Sequence, residues 1–253
     1  MYSTIRALIA LMFSVVCYDM IVSAADLKQH AVIIQRCLAG DSNSNSSATL
    51  APVIRDCTVA FGAAGIDDQE RSGILVQRGV AFRNLGDFDS SLVDLSAAVK
   101  LSPKNAEAAR MRAWTLRELK RFGEAEVDFG QALSIEYHWQ ALLSRCVVRI
   151  DLEKFLKAIE DCEEALKQNR NTDSLYFTAW LYNKLRRFPE AITLLQVAVL
   201  TDELSARIFD QLAHAYISVG DKHAAISAIA NGLALFPGDA ALEKRSVEVK
   251  NTW

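Results

Sequence analysis

The chain of 253 residues is about half hydrophobic and carries a formal net charge of −3. That length supports a sizeable core, the balance is too polar for a multi-span membrane protein, and the small charge exerts no global pull on nucleic acid or an anionic membrane. With only four prolines and eleven glycines, the composition favours helices over strands.

In chain order, Arg6 precedes an apolar run from Ala7 to Cys17, a mixed stretch comes next, and Ser23-Ala24-Ala25 closes the segment. This three-part layout predicts a secretory signal peptide over 1–25, cut after Ala24 or Ala25. The clean apolar run is too short to cross a bilayer, and Asp19 interrupts the mixed stretch beyond it. Val16 stands before Cys17 where a lipoprotein signal carries a small residue, so no lipid attachment is expected. The mature chain would then be periplasmic or secreted, with no membrane span. It keeps Cys37, Cys57, Cys146 and Cys162, an even number suited to an oxidising compartment. There is no CxxC pair and no Cys–His cluster, so neither a thioredoxin-like site nor a zinc site is expected.

Over 26–71 the pattern is irregular. Helices are expected over 27–38 and 52–61, separated by the polar stretch GDSNSNSSATL. From residue 72 a repeat takes over. Phe88, Phe122, Phe155 and Phe188 are spaced by 34, 33 and 33 residues. Three positions further on stand Ser91, Ala125, Ala158, Ala191 and, in a fifth unit, Ala225. Seven beyond those are Ala98, Ala132, Ala165, Ala198 and Gly232, and upstream Gly79, Ala113, Cys146, Ala179 and Ala213 keep the same step. Each unit reads as two helices, the first over 72–85 and 88–101 with Gly86-Asp87 as the turn, and with proline ending the second helix at Pro103 and Pro237. Short side chains at fixed places let two helices approach closely.

A helix–turn–helix unit of about 34 residues, with a small residue in mid-helix A, an aromatic opening helix B and a late proline, resembles the tetratricopeptide repeat. RGVAFRNLGDFDSSLVDLSAAVKLSP and LAHAYISVGDKHAAISAIANGLALFP carry the resemblance most clearly. It implies an all-α, right-handed α-solenoid: five repeats over 72–239, a degenerate amino-terminal hairpin over 26–71, and a capping helix and tail over 240–253. IRDCTVAFG matches a helix B, and a Cys37–Cys57 disulfide would staple the degenerate repeat, as in secreted bacterial relatives with a cysteine on each of two opening helices. Closing that loop of roughly 20 residues would contribute about 3 kcal/mol. Cys146 and Cys162 are left open between a second bridge and two buried thiols.

No catalytic residue or cofactor is expected: HExxH, GxSxG, a phosphate loop and a Rossmann fingerprint are all absent from the sequence. His30, His138, His214 and His223 are scattered, and acidic groups such as Asp161-Glu163-Glu164 read as solvated faces. The resemblance points instead to a concave surface lined by A helices, which receives a peptide or partner protein. Its inward residues would include Val76, Val80 and Arg83, then Arg110, Trp114 and Arg117, Leu143 and Val147, Tyr176, Trp180 and Asn183, and finally Asp210 and His214. Trp114 and Trp180 share a place in two units, and the arginines suit a carboxylate-bearing ligand. The expected function is an exported interaction module. Alternatives are a self-associating solenoid or an accessory subunit of an envelope enzyme or secretion complex.

Overall fold

The computed structural model describes residues 29–42 and 46–252. The segment read as a signal peptide, 1–25, lies outside the described residues. The chain divides into two compact units, Met1–Lys120 and Arg121–Trp253. In the first, α1 covers 29–39, followed by α2 (Ser47–Phe61), α3 (Asp68–Asn84), α4 (Phe88–Leu101) and α5 (Ala106–Glu118). In the second come α6 (Phe122–Ile135), α7 (Trp139–Asp151), α8 (Phe155–Gln168), α9 (Thr172–Lys184), α10 (Phe188–Ala198), α11 (Ala206–Val219), α12 (Lys222–Leu235) and α13 (Ala240–Thr252). Consecutive helices pack on one another within each unit. No strand occurs among the described residues, and the architecture is an all-α repeat solenoid.

The repeating phenylalanines open α4, α6, α8 and α10, and every residue of the three small columns is buried. The reason for their size is visible at two of them. A Cβ on Gly79 would lie 2.7 Å from Leu95 Cγ, and one on Gly232 would lie 2.8 Å from both Leu242 Cδ1 and Phe209 Cβ. A fourth column governs the turns: Gly86, Lys120, Glu153, Arg186 and Gly220 all take positive φ, between 56° and 82°. The left-handed residue ends helix A, and helix B starts two positions later.

Two helices begin earlier than expected. α3 starts at Asp68 and not at 72, because Asp67 and Glu70 form a capping box: Glu70 N–H donates to Asp67 Oδ1 at 2.8 Å and Asp67 N–H to Glu70 Oε2 at 3.1 Å. α2 starts at Ser47, with Pro52 inside it and not at its head. Leu50, Val53, Cys57 and Ala60 form one buried stripe that runs back past the proline. That burial outweighs the carbonyl of Ala48 losing its i+4 donor.

Both cysteine pairs are disulfides. Cys37 on α1 is bonded to Cys57 on α2, with Cα atoms 4.8 Å apart, and Cys146 on α7 to Cys162 on α8, at 5.5 Å. The second pair thereby resolves the question left open by the sequence.

Candidate functional site

Of the expected inward residues in the first unit, Val76 and Val80 are core residues, packed with Leu75, Leu95 and Ala98. Branched apolar side chains gain more from that core than from an open wall. Arg83, Arg110, Trp114 and Arg117 are partly exposed. The Arg117 guanidinium lies 5.6 Å from the Trp114 ring centroid. Arg83 donates to Met111 Sδ at 3.8 Å and Asn84 Oδ1 at 3.4 Å, both weak acceptors at long range. Burial holds Arg83 below the ordinary arginine range; Glu118 opposes that shift and Arg110 adds to it. This is a half-buried cation poorly served by the protein.

In the second unit Leu143 and Val147 are likewise buried, Leu143 in the core with Leu142 and Cys146, and neither stands on an open wall. Tyr176, Trp180, Asp210 and His214 are partly exposed. The Arg207 guanidinium lies 5.0 Å from the Tyr176 ring centroid, and burial raises the Tyr176 phenol above its usual range. Trp180 meets Phe155 edge to face at 6.0 Å and carries Lys184 Nζ 5.0 Å from its ring centroid. Asn183 is 5 % exposed; its Nδ2 donates to the backbone oxygen and Oε1 of Gln211, both at 3.1 Å.

The structure brings these residues together with a side chain to which the repeat pattern did not point. Arg245, on α13, donates through Nε to Asp210 Oδ1 at 2.9 Å and through Nη2 to Asp210 Oδ2 at 3.3 Å. Its Nη1 reaches Glu248 Oε2 at 2.7 Å and faces His214 Nδ1 at 3.4 Å. His214 also lies edge-on to Phe188 at 6.2 Å. Burial, then the Arg245 charge, hold the imidazole below its ordinary pKa. Trp180, Asn183, Lys184, Gln211, His214 and Arg245 line a cleft of about 200 Å³. The one sequence signal for Arg245 was its i, i+3 pairing with Glu248, which reads equally as a solvated cap.

One acidic reading needs correction. Asp161 is 4 % exposed and not solvated: Arg145 Nε and Nη2 donate to it at 2.8 and 2.7 Å, and Arg149 Nη1 adds a third bond at 2.8 Å. An ionised carboxylate enters the interior when fixed donors surround it.

Helical hairpins that recur at a step of 33 or 34 residues, with a polar and aromatic face on their first helices, define a helical repeat protein. Residues 76–136 and 148–206 match the family model described as Tetratricopeptide repeat. The chain belongs to the tetratricopeptide-repeat family. Its fold is shared by PilF of Pseudomonas aeruginosa, at TM-score 0.74 and 17% identity over 88% of this chain and 99% of that one. PilW, described as a type IV pilus biogenesis factor, gives 0.71 at 16% identity over 85% and 97%. YrrB, described as having an unusual peptide-binding site, gives 0.61 at 13% identity over 80% and 99%. At such identities the likeness is one of fold. DnaJ protein P58IPK homolog A of Oryza sativa subsp. japonica is 34% identical over 76 residues. The match spans 30% of this chain and 16% of that protein.

Proposed function

We propose that the chain is an exported interaction module that holds a segment of a partner protein against the A-helix faces of its repeats. The observation that carries this reading is a repeated pair. Trp114 with Arg117, and Trp180 with Lys184, each set a cation near the ring of a half-buried tryptophan at one register position in two repeats. Neither ring occupies the small-residue packing columns. Large aromatic surface beside a directed cation is what binding hot spots are made of. Arg83 adds a poorly served positive charge and Arg110, 4.0 Å from Glu107, a second, which favours a segment bearing carboxylates. Tyr176, Asn183, Asp210 and His214 complete the candidate surface of the second unit.

Export is supported by the signal-like segment and by two disulfides, which persist in oxidising compartments. The pilus-biogenesis description of PilW and the peptide-binding description of YrrB agree with a periplasmic or secreted peptide holder. The test is affinity capture from the native cell envelope with the wild-type chain and a Trp114→Ala/Trp180→Ala form. A partner held by the first and lost by the second, with helical circular dichroism unchanged, supports the reading. Equal capture by both refutes it.

A second reading, self-association, rests on the outer helices, where Val93, Val127 and Leu156 are each at least 70% exposed. Sedimentation velocity separates the two: a monomer at all concentrations removes the self-associating solenoid.

A further inference from the structure

Among the described residues, Asn183 Oδ1 is a buried side-chain acceptor with no hydrogen-bond partner. The amide cannot simply be turned over. Nδ2 donates to the backbone oxygen of Gln211, and a flip would set Oδ1 against that carbonyl. A buried acceptor without a donor is a standing cost to the fold, tolerated where a ligand supplies what the protein omits. Asn183 is also one of the six residues lining the 200 Å³ cleft between α9, α11 and α13.

The other walls narrow what can enter. Arg245 is already paired with Asp210 and Glu248, so it is Lys184 that sets positive charge at the cleft and disfavours an ammonium group. Asp210, which could have balanced it, already accepts two bonds from Arg245. A carboxylate would meet the Asn183 acceptor with another acceptor. The group required is therefore neutral and offers an N–H or O–H. Arg245 faces His214 Nδ1 at 3.4 Å and can only donate, so the tautomer that suits this contact carries its hydrogen on Nε2, which is then a donor in turn. Lys184 is a second donor, exposed and lying over the Trp180 ring, so part of the cleft wall is a flexible side chain. A carboxamide answers both demands from two separate atoms, its NH₂ donating and its carbonyl accepting, where a hydroxyl has one oxygen for both. Because Asn183 Oδ1 is closed to solvent, a ligand reaches it only as the cleft wall yields, and the end of a side chain demands less of that than a backbone lying along the helix face.

We propose that the cleft is a subsite for the carboxamide of a glutamine or asparagine side chain. The proposal rests on the reading of this face as a binding surface, and it names the residue type this part of the surface selects.

The test titrates the full chain, labelled with ¹⁵N, with four small probes: propionamide, N-methylpropionamide, N,N-dimethylpropionamide and propionate. Propionamide is expected to shift the Asn183 side-chain and Trp180 indole resonances saturably. The dimethyl amide, lacking N–H, and propionate are expected to bind about tenfold more weakly, the worth of one hydrogen bond. Asn183→Leu should remove the preference for propionamide over the dimethyl amide. Should that variant lose its fold, the probe series on the wild type decides alone. Equal responses to propionamide and the dimethyl amide, or no response, overturn the proposal. A stronger response to N-methylpropionamide than to propionamide overturns it in favour of a backbone amide. No partner enters this experiment, so its failure leaves the capture test of the binding surface untouched, and the converse also holds.

Discussion

Arg145 on α7 forks onto Asp161 on α8 through bonds of 2.8 and 2.7 Å, and one residue further along each helix Cys146 is bonded to Cys162. The first unit uses the same register differently. Arg78 forks onto Asp94 at 2.7 and 2.8 Å, and the next pair is Gly79 against Leu95, where the missing Cβ lets the leucine in. An ionic clasp is thus kept at one height of the hairpin, while the contact beside it is covalent in one repeat and steric in another. Arg112 and Asp128 stand at the same sequence places in the repeat between them.

These clasps predict a ranking of stability losses. Asp94→Ala strands Arg78, and should cost about 3 kcal/mol because a half-buried cation loses its counter-ion. Asp161→Ala strands Arg145 and deprives Arg149 of one of its two anions, Asp161 and Glu126, and should cost about 4 kcal/mol. Replacing both members, Arg78→Met with Asp94→Leu, should recover most of the first loss. Urea unfolding midpoints measure all three, and an Asp161 variant less damaged than the Asp94 variant contradicts the ranking.

The contrast shows what the sequence could reveal. Small residues repeat because backbone geometry admits nothing larger, so the columns through Ala125, Ala132 and Ala113 were legible from spacing alone. Phenylalanine at the head of helix B was legible from the same spacing. Asp161 was not, because a carboxylate within a charged stretch has the same sequence pattern whether solvent or an arginine fork surrounds it. Arg78 and Arg145 held the deciding signal: a basic residue in helix A, sixteen positions before the acid, recurring at the repeat step. Val76, Val80, Leu143 and Val147 fail in the opposite sense. Helical spacing places them on the face shared with Arg83 and Trp180, but spacing does not report that neighbouring side chains close over them. Arg245 lay beyond periodic reasoning altogether, since its partners Asp210 and His214 are 35 and 31 residues away on another helix.

The turn column gives a stabilising prediction. Lys120, Glu153 and Arg186 hold φ of 58°, 56° and 60° at the place where Gly86 and Gly220 take 82°. A side chain in the left-handed region is strained, and glycine relieves that strain while giving back some unfolded-state entropy. Each of Lys120→Gly, Glu153→Gly and Arg186→Gly should raise stability by about 0.5 kcal/mol, read as a rise in thermal midpoint. Gly86→Lys should lower it.

The disulfides predict a redox-dependent stability. They close separations of 20 and 16 residues, and each should contribute about 3 kcal/mol by restricting the unfolded chain. Cys146→Ala/Cys162→Ala should therefore unfold at a lower urea concentration than the oxidised wild type. Dithiothreitol should lower the wild-type midpoint further than that of the variant, because the wild type has two bridges to lose and the variant one. An oxidised midpoint that does not move on reduction contradicts the bridges.

The last prediction concerns pH and the cleft on the second unit. His214 is held below its ordinary value of 6.5 by burial and by Arg245, with Glu248 and Asp210 opposing and Lys184 adding a smaller push downward. The unfolded chain therefore takes up the proton first as pH falls, and proton uptake by the unfolded state favours unfolding. The stabilising effect of a neutral His214 is complete above the unfolded value and is lost as pH drops through the window down to the folded value. His214→Gln cannot titrate, so its stability should fall less than that of the wild type between neutral pH and pH of about 5. Protonation also sets one cation against another where Arg245 Nη1 now donates to Nδ1, so the loss should be felt first at α13. Hydrogen exchange at acidic pH should speed up in α13 of the wild type and hold steady in the glutamine variant. Equal pH slopes for the two proteins would show that the imidazole is not the titrating group.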